Sequence, residues 1–81
     1  MPLPPADELC IFLSYKNKEV VAYTENAKKV EFYVDGHLFY VDNDPPFKIR
    51  IDEGHLVKGV AYGKNSYVWD EIFIWNEKFN K

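Results

Sequence analysis

Val30-Glu31-Phe32-Tyr33-Val34-Asp35-Gly36-His37-Leu38-Phe39-Tyr40-Val41 is the stretch that decides the fold class. Val30, Phe32 and Val34 alternate with Glu31 and Tyr33, the two-residue period of a strand that buries one face. Asp35-Gly36 follows directly, and both central positions of a type I′ turn want φ > 0. Leu38-Phe39-Tyr40-Val41 then supplies a second β-rich run. Two strands joined by a tight turn are the expected result.

The same period extends in both directions. Upstream, Leu9, Ile11 and Leu13 alternate with Cys10 and Phe12 in a first strand, and Asn17 with its flanking lysines makes a turn. Val20 to Tyr23 form a second strand, ended by Thr24-Glu25-Asn26. Downstream, Asp42 to Pro46 read as a loop, because paired prolines cannot serve a central strand. Phe47, Ile49 and Ile51 alternate with Lys48, Arg50 and Asp52 in a half-buried fifth strand, and Gly54 marks the next turn. Leu56 to Tyr62 and Tyr67 to Trp75 give the sixth and seventh, joined through Gly63-Lys64-Asn65-Ser66. No window of eleven or more residues carries a helical period. About seven short antiparallel strands with turn signals every eight to twelve residues predict an all-β sandwich.

Composition sets the limits of what such a chain can do. Eighty-one residues make one domain, and a chain of this size buries roughly 60–65% of the surface it exposes when unfolded. A hydrophobic share of 47%, with six Tyr, six Phe and two Trp, is too apolar for a disordered chain. A net charge of −3 and a single arginine, Arg50, argue against nucleic acid as a main partner. The longest purely apolar run, Leu9 to Leu13, falls far short of the roughly 20 residues of a membrane helix, so no membrane insertion is expected. Residues 1–7 hold three of the five prolines and read as an extended lead-in, leaving residues 8–81 as the domain. Met1-Pro2-Leu3-Pro4-Pro5 has neither the basic start nor the apolar stretch of a secretory signal. The lone Cys10 cannot form an internal disulfide, and its apolar neighbours predict a small buried side chain. A domain without disulfides fits the cytoplasm and equally the exterior of many archaea and bacteria.

Val30-Glu31-Phe32-Tyr33-Val34-Asp35-Gly36 resembles the strand-and-turn signature of bacterial and archaeal immunoglobulin-like domains. Pro46-Phe47 stands where that family has a Pro-aromatic step, and Gly54-His55 followed by Val60-Ala61-Tyr62 is similar to its Gly-His pair and V-x-A strand. Asp70-Glu71-Ile72-Phe73-Ile74 looks like its closing strand. The likeness runs from about Val20 to Asn76 in the family's order. Two positions depart from it. Gly63-Lys64-Asn65-Ser66 replaces an Asp-rich, Gly-Asn turn, and Gly59 falls where a bulky core residue is usual. If Gly59 faces the core, a large neighbour is expected to fill the gap, and the six Phe are candidates. The resemblance implies an immunoglobulin-like β-sandwich that serves as a non-catalytic spacer or interaction module. It further implies a multidomain cell-surface or secreted protein, with occasional carbohydrate contacts.

The residues themselves offer no catalytic constellation. Ser14, Ser66, Thr24 and Cys10 are the available nucleophiles, with His37 and His55 as bases, and none sits in a nucleophile motif. Both histidines read as exposed residues flanking turns. No zinc-ligand spacing and no phosphate-binding glycine loop is present, so no cofactor is expected. Asp42, Asp44, Asp52, Glu53, Asp70 and Glu71 lie near predicted strand ends and read as solvated loop acids rather than a calcium site.

The side of the strands that faces away from the core is more informative. With Val30, Phe32 and Val34 inward, Tyr33 points out. Inward Val57 and Ala61 put Leu56, Val60 and Tyr62 outward, and inward Ile72 and Ile74 put Trp69, Phe73 and Trp75 outward. In the immunoglobulin-like arrangement that the resemblance implies, the third, sixth and seventh strands share one sheet. Tyr33, Val60, Tyr62, Trp69, Phe73 and Trp75 are therefore the expected interaction surface, with Lys58 and Glu71 interrupting or rimming it. Large apolar patches mark interfaces, and Tyr and Trp suit binding hot spots. The expected partner is protein, a second copy or an adjacent domain; the alternative is a sugar stacked on Trp75 or Trp69. The opposing expectation is that Pro4, Pro5 or Phe79 packs over some rings and Lys and Glu stems cover others.

Overall fold

A computed structural model describes residues 8–75. The lead-in at residues 1–7, and the expected cover by Pro4, Pro5 and Phe79, lie outside the described residues. Seven strands follow one another: β1 (Cys10–Lys16), β2 (Glu19–Glu25), β3 (Lys29–Val34), β4 (His37–Asp42), β5 (Phe47–Arg50), β6 (Leu56–Tyr62) and β7 (Tyr67–Phe73). No helix occurs among the described residues. The seventh strand ends two residues earlier than the alternation predicts, and Ile74 instead bonds to the β5–β6 connection. Its N–H donates to the His55 carbonyl at 2.9 Å, and its carbonyl accepts from Gly54 at 2.7 Å.

Every strand pair is antiparallel. β1-β2-β5 form one sheet and β4-β3-β6-β7 the other. The chain crosses between sheets after β2, β4 and β5, which gives a seven-stranded sandwich. Its fourth strand pairs with β3, whereas the constant-type immunoglobulin arrangement puts the fourth strand beside the fifth. The opening stretch forms the hairpin its sequence predicts. Asp35 and Gly36 take φ of 52° and 88°, and Val34 pairs with His37 across the turn. The register slips between Phe32 and Tyr33, which leaves Phe39 as an extra residue on β4.

The inward sets of both sheets meet in one core. Phe32, Val20, Val30 and Val57 are its largest fully buried side chains. Phe47 and Ile49 of β5 are buried with them, as is Ile51, which lies just past the end of the strand that the alternation predicts it to join. Gly59 sits between Phe32 and Asp70 across the sheet and does face the core. The gap is filled by aliphatic side chains of β1 rather than by a phenylalanine. A Cβ on Gly59 would stand 2.9 Å from Leu13 Cδ2 and 3.2 Å from Ile11 Cδ1.

Strand parity also corrects two other expectations. Leu13 is the buried member of β1, so Cys10 falls on the opposite face and is exposed. Its apolar neighbours belong to both faces and do not bury it. Asp70 is not a loop acid: it lies in mid-strand on the inward side of β7, where Oδ2 accepts the Leu13 N–H at 3.0 Å. On the opposite flank of the sandwich, Asp42 Oδ2 accepts the Lys48 N–H at 3.3 Å. In both places an aspartate from the four-stranded sheet partners an edge N–H of the three-stranded one. A charge turned inward at a sheet edge also discourages strand addition there.

Candidate interaction surface

The registers of β3, β6 and β7 fix which side chains share the outer face of the four-stranded sheet. Reading across the three strands, the rows are Lys29, Tyr62 and Tyr67; then Glu31, Val60 and Trp69; then Tyr33, Lys58 and Glu71. A fourth row holds Leu56 and Phe73. Trp75 continues the column, with its ring edge-on to Phe73 at 5.0 Å between centroids. Tyr33, Val60, Tyr62, Trp69, Phe73 and Trp75 thus lie along one side of the sheet.

The face has two unlike halves. Towards β3, a polar network holds the tyrosines in place. Tyr33 and Tyr62 both donate their hydroxyl protons to Glu31 Oε1, at 3.0 and 2.9 Å. Lys29 Nζ lies 3.7 Å from Glu31 Oε2 and 4.8 Å from the centre of the Tyr62 ring. Hydrogen bonding to the Glu31 carboxylate raises the pKa of both tyrosines above the ordinary value, because losing the proton would set two anions together. Val60 lies at the middle of the face and is only 7% exposed, although no second sheet covers it.

Towards β7 the rings are open. Tyr67, Trp69, Phe73 and Trp75 are each exposed by roughly half or more, and Leu56 by 39%. Lys58 and Glu71 are directly opposed but form no ion pair among the described residues. The Lys58 ammonium sits instead over the Trp69 ring, 4.6 Å from its centre. A groove of about 750 Å³ runs between the halves, floored by Val60 and walled by Tyr33, Tyr62, Tyr67 and Trp69. That volume lies within the range of small-molecule sites.

Alternation along the strands finds most of this surface, but not what ties it together. Tyr67 has the parity of Trp69, two residues on, and the same period could have included it. Glu31 shares the outward parity of Tyr33. Its bond to Tyr62 depends on which residues of β3 and β6 stand opposite one another, and no single strand carries that information.

The groups with chemical potential elsewhere do not converge. His55 Nδ1 lies 2.6 Å from Asp35 Oδ2, and Asp35 Oδ1 accepts the Leu56 N–H at 3.0 Å. The Leu56 bond first, and His55 second, hold the Asp35 carboxyl below its usual pKa. This pair anchors the β3–β4 turn to the start of β6. Ser66 lies in the β6–β7 turn at the far end of β6, Ser14 and Thr24 are on the other sheet, and no hydroxyl or thiol is bonded to His55 among the described residues. No three His, Cys, Asp or Glu side chains of the described residues are grouped closely enough to hold a metal ion. Comparison with family models, with curated proteins and with solved structures finds no match to this chain.

Proposed function

We propose that this domain is a non-catalytic interaction module whose working surface is the outer face of β3, β6 and β7. The carrying observation is the line of half-open rings along β7 beside a polar network that fixes the neighbouring tyrosines. Rigid aromatic side chains offer large contact areas for little loss of rotamer freedom, and the Glu31 network orders part of the surface before any partner arrives. Membership of a cell-surface or secreted multidomain protein accompanies this reading and draws on the Val30–Gly36 resemblance alone.

The test is a Trp69→Lys/Phe73→Lys double variant compared with the parent domain by solubility, retention on a hydrophobic column and thermal unfolding. Solubility rises and retention falls, while cooperative unfolding is kept at a moderately lower melting temperature, since about half of each ring already faces water. Loss of cooperative unfolding would make the rings part of the core and end the proposal.

One observation favours a second reading as a saccharide-binding module. Trp69 stands half exposed at the groove wall with the Glu71 carboxylate in the next row, an aromatic face beside a hydroxyl acceptor. Tryptophan fluorescence titrated with a panel of soluble polysaccharides tests it. A saturable shift that Trp69→Ala removes supports a sugar site, and silence across the panel speaks against one.

A further inference from the structure

The rows of the outer face make it complementary to itself. β6 and β7 lie side by side and antiparallel, and their rows set Val60 beside Trp69, Lys58 beside Glu71, Leu56 beside Phe73, and Tyr62 beside Tyr67. A two-fold axis running along the strands, between β6 and β7, lays β7 of one copy over β6 of the other without changing the rows. Trp69 then faces the groove floored by Val60 of the second copy, Phe73 rests on its Leu56, and Glu71 meets its Lys58. Sheets packing face to face keep their strands nearly aligned, and this axis delivers that arrangement. We infer that the partner of this face is a second copy of the same chain, joined in an isologous dimer.

Two quantities support this occupant. Charge is the first. Glu71 meets no cation among the described residues, and the Lys58 ammonium rests on a ring, so each remains available to the other across the axis. The face offers one positive and one negative group in the same row, and a two-fold axis along that row's strands pairs opposite signs twice. Area is the second. An aromatic side chain covers about 150–250 Å² when fully buried, so the open parts of Tyr67, Trp69, Phe73, Trp75 and Leu56 leave on the order of 500 Å² of apolar surface. A standard interface takes about 800 Å² from each partner, about 60% of it apolar. The face supplies close to that amount.

The inference rests on the reading of this face as the working surface, and charge reversal separates the two. Sedimentation velocity over a wide concentration range is run on the parent domain, on Lys58→Glu, on Glu71→Lys, and on an equimolar mixture of the two variants. The parent domain dimerises with rising concentration. Each single variant stays monomeric, because like charges meet twice across the axis. The mixture dimerises again, because the carboxylate introduced at position 58 of one chain then meets the ammonium introduced at position 71 of the other. A parent domain that stays monomeric at the highest concentration overturns the inference, as does a dimer indifferent to both reversals or a mixture that does not recover. None of these results touches the solubility and retention test above, so failure of the dimer and failure of the surface are told apart. Cooperative unfolding of the single variants, at a melting temperature lowered by a few degrees because like charges then stand opposite within one chain, confirms that both fold.

Discussion

The two sides of the four-stranded sheet solve the same packing problem by different means. On the inner side, β6 presents Val57, Gly59 and Ala61, all buried beneath the opposite sheet; Leu13 reaches down to the bare backbone of Gly59. On the outer side, the same strand presents Lys58, Val60 and Tyr62 with no sheet above them. There the surface covers itself where it can. The rings of Tyr62 and Trp69, one held by Glu31 and the other under Lys58, flank Val60 and leave it nearly buried. Along β7 such cover ends and the rings stay half in water. Burial on the inner side is supplied by the fold; on the outer side it is local and incomplete, which leaves the β7 rings half exposed.

The sharpest way to break this contrast is to delete one ring from each side. Phe32→Ala removes the largest fully buried side chain and leaves a cavity, at a cost of about 3–5 kcal/mol. A chain of this length holds roughly 4–12 kcal/mol in total, so that loss takes much of its stability. Trp69→Ala, on the outer side, removes a half-exposed ring and part of the cover of Val60, and costs about 1–2 kcal/mol. Urea denaturation of the two variants measures both. Equal costs would mean that the outer rings are a second core, and the contrast would fall.

A smaller effect probes the same contrast at Gly59. Its backbone is ordinary strand, so Gly59→Val meets no conformational penalty, and the result depends on space alone. The new Cβ would stand 2.9 Å from Leu13 Cδ2, and overpacking of this kind costs about 1–3 kcal/mol. Adding Leu13→Ala recovers part of that loss if Leu13 is what fills the hollow, and a thermodynamic cycle of the four proteins reads the coupling. Additive costs would show that the hollow closes by some other means.

These particulars mark what the sequence can and cannot tell. The period of two places each side chain of a strand on one of two faces, so the hairpin, the seven strands and the outward position of the six surface residues are all legible from single segments. Cys10 is not, because five apolar residues in a row leave parity to decide, and apolarity alone points inward. Asp70 is not, because an inward aspartate gains its hydrogen bond from Leu13, more than fifty residues away in the chain. Gly59 is legible as a gap but not as to its filler, since Leu13 reaches it from the opposite sheet. The Glu31–Tyr62 bond and the Lys58–Trp69 stacking need the register between strands, which local pattern does not contain.

The smallest expected effect tests whether the outer network is electrostatic or merely steric. Tyr33 and Tyr62 donate to one carboxylate oxygen, and their raised pKa values follow from that contact first. A raised folded-state value means that this contribution to stability is complete below the unfolded tyrosine value of about 10 and is lost as pH rises through the folded values. In an absorbance titration at alkaline pH, Tyr33 and Tyr62 should therefore ionise above the ordinary tyrosine range. Glu31→Gln keeps an acceptor oxygen and removes the charge, so these two return towards the ordinary range while melting at neutral pH shifts little. An unchanged titration in Glu31→Gln would show that the phenols are held by packing on Val60 and not by the carboxylate. The β3 half of the face would then be ordered by the same means as the core.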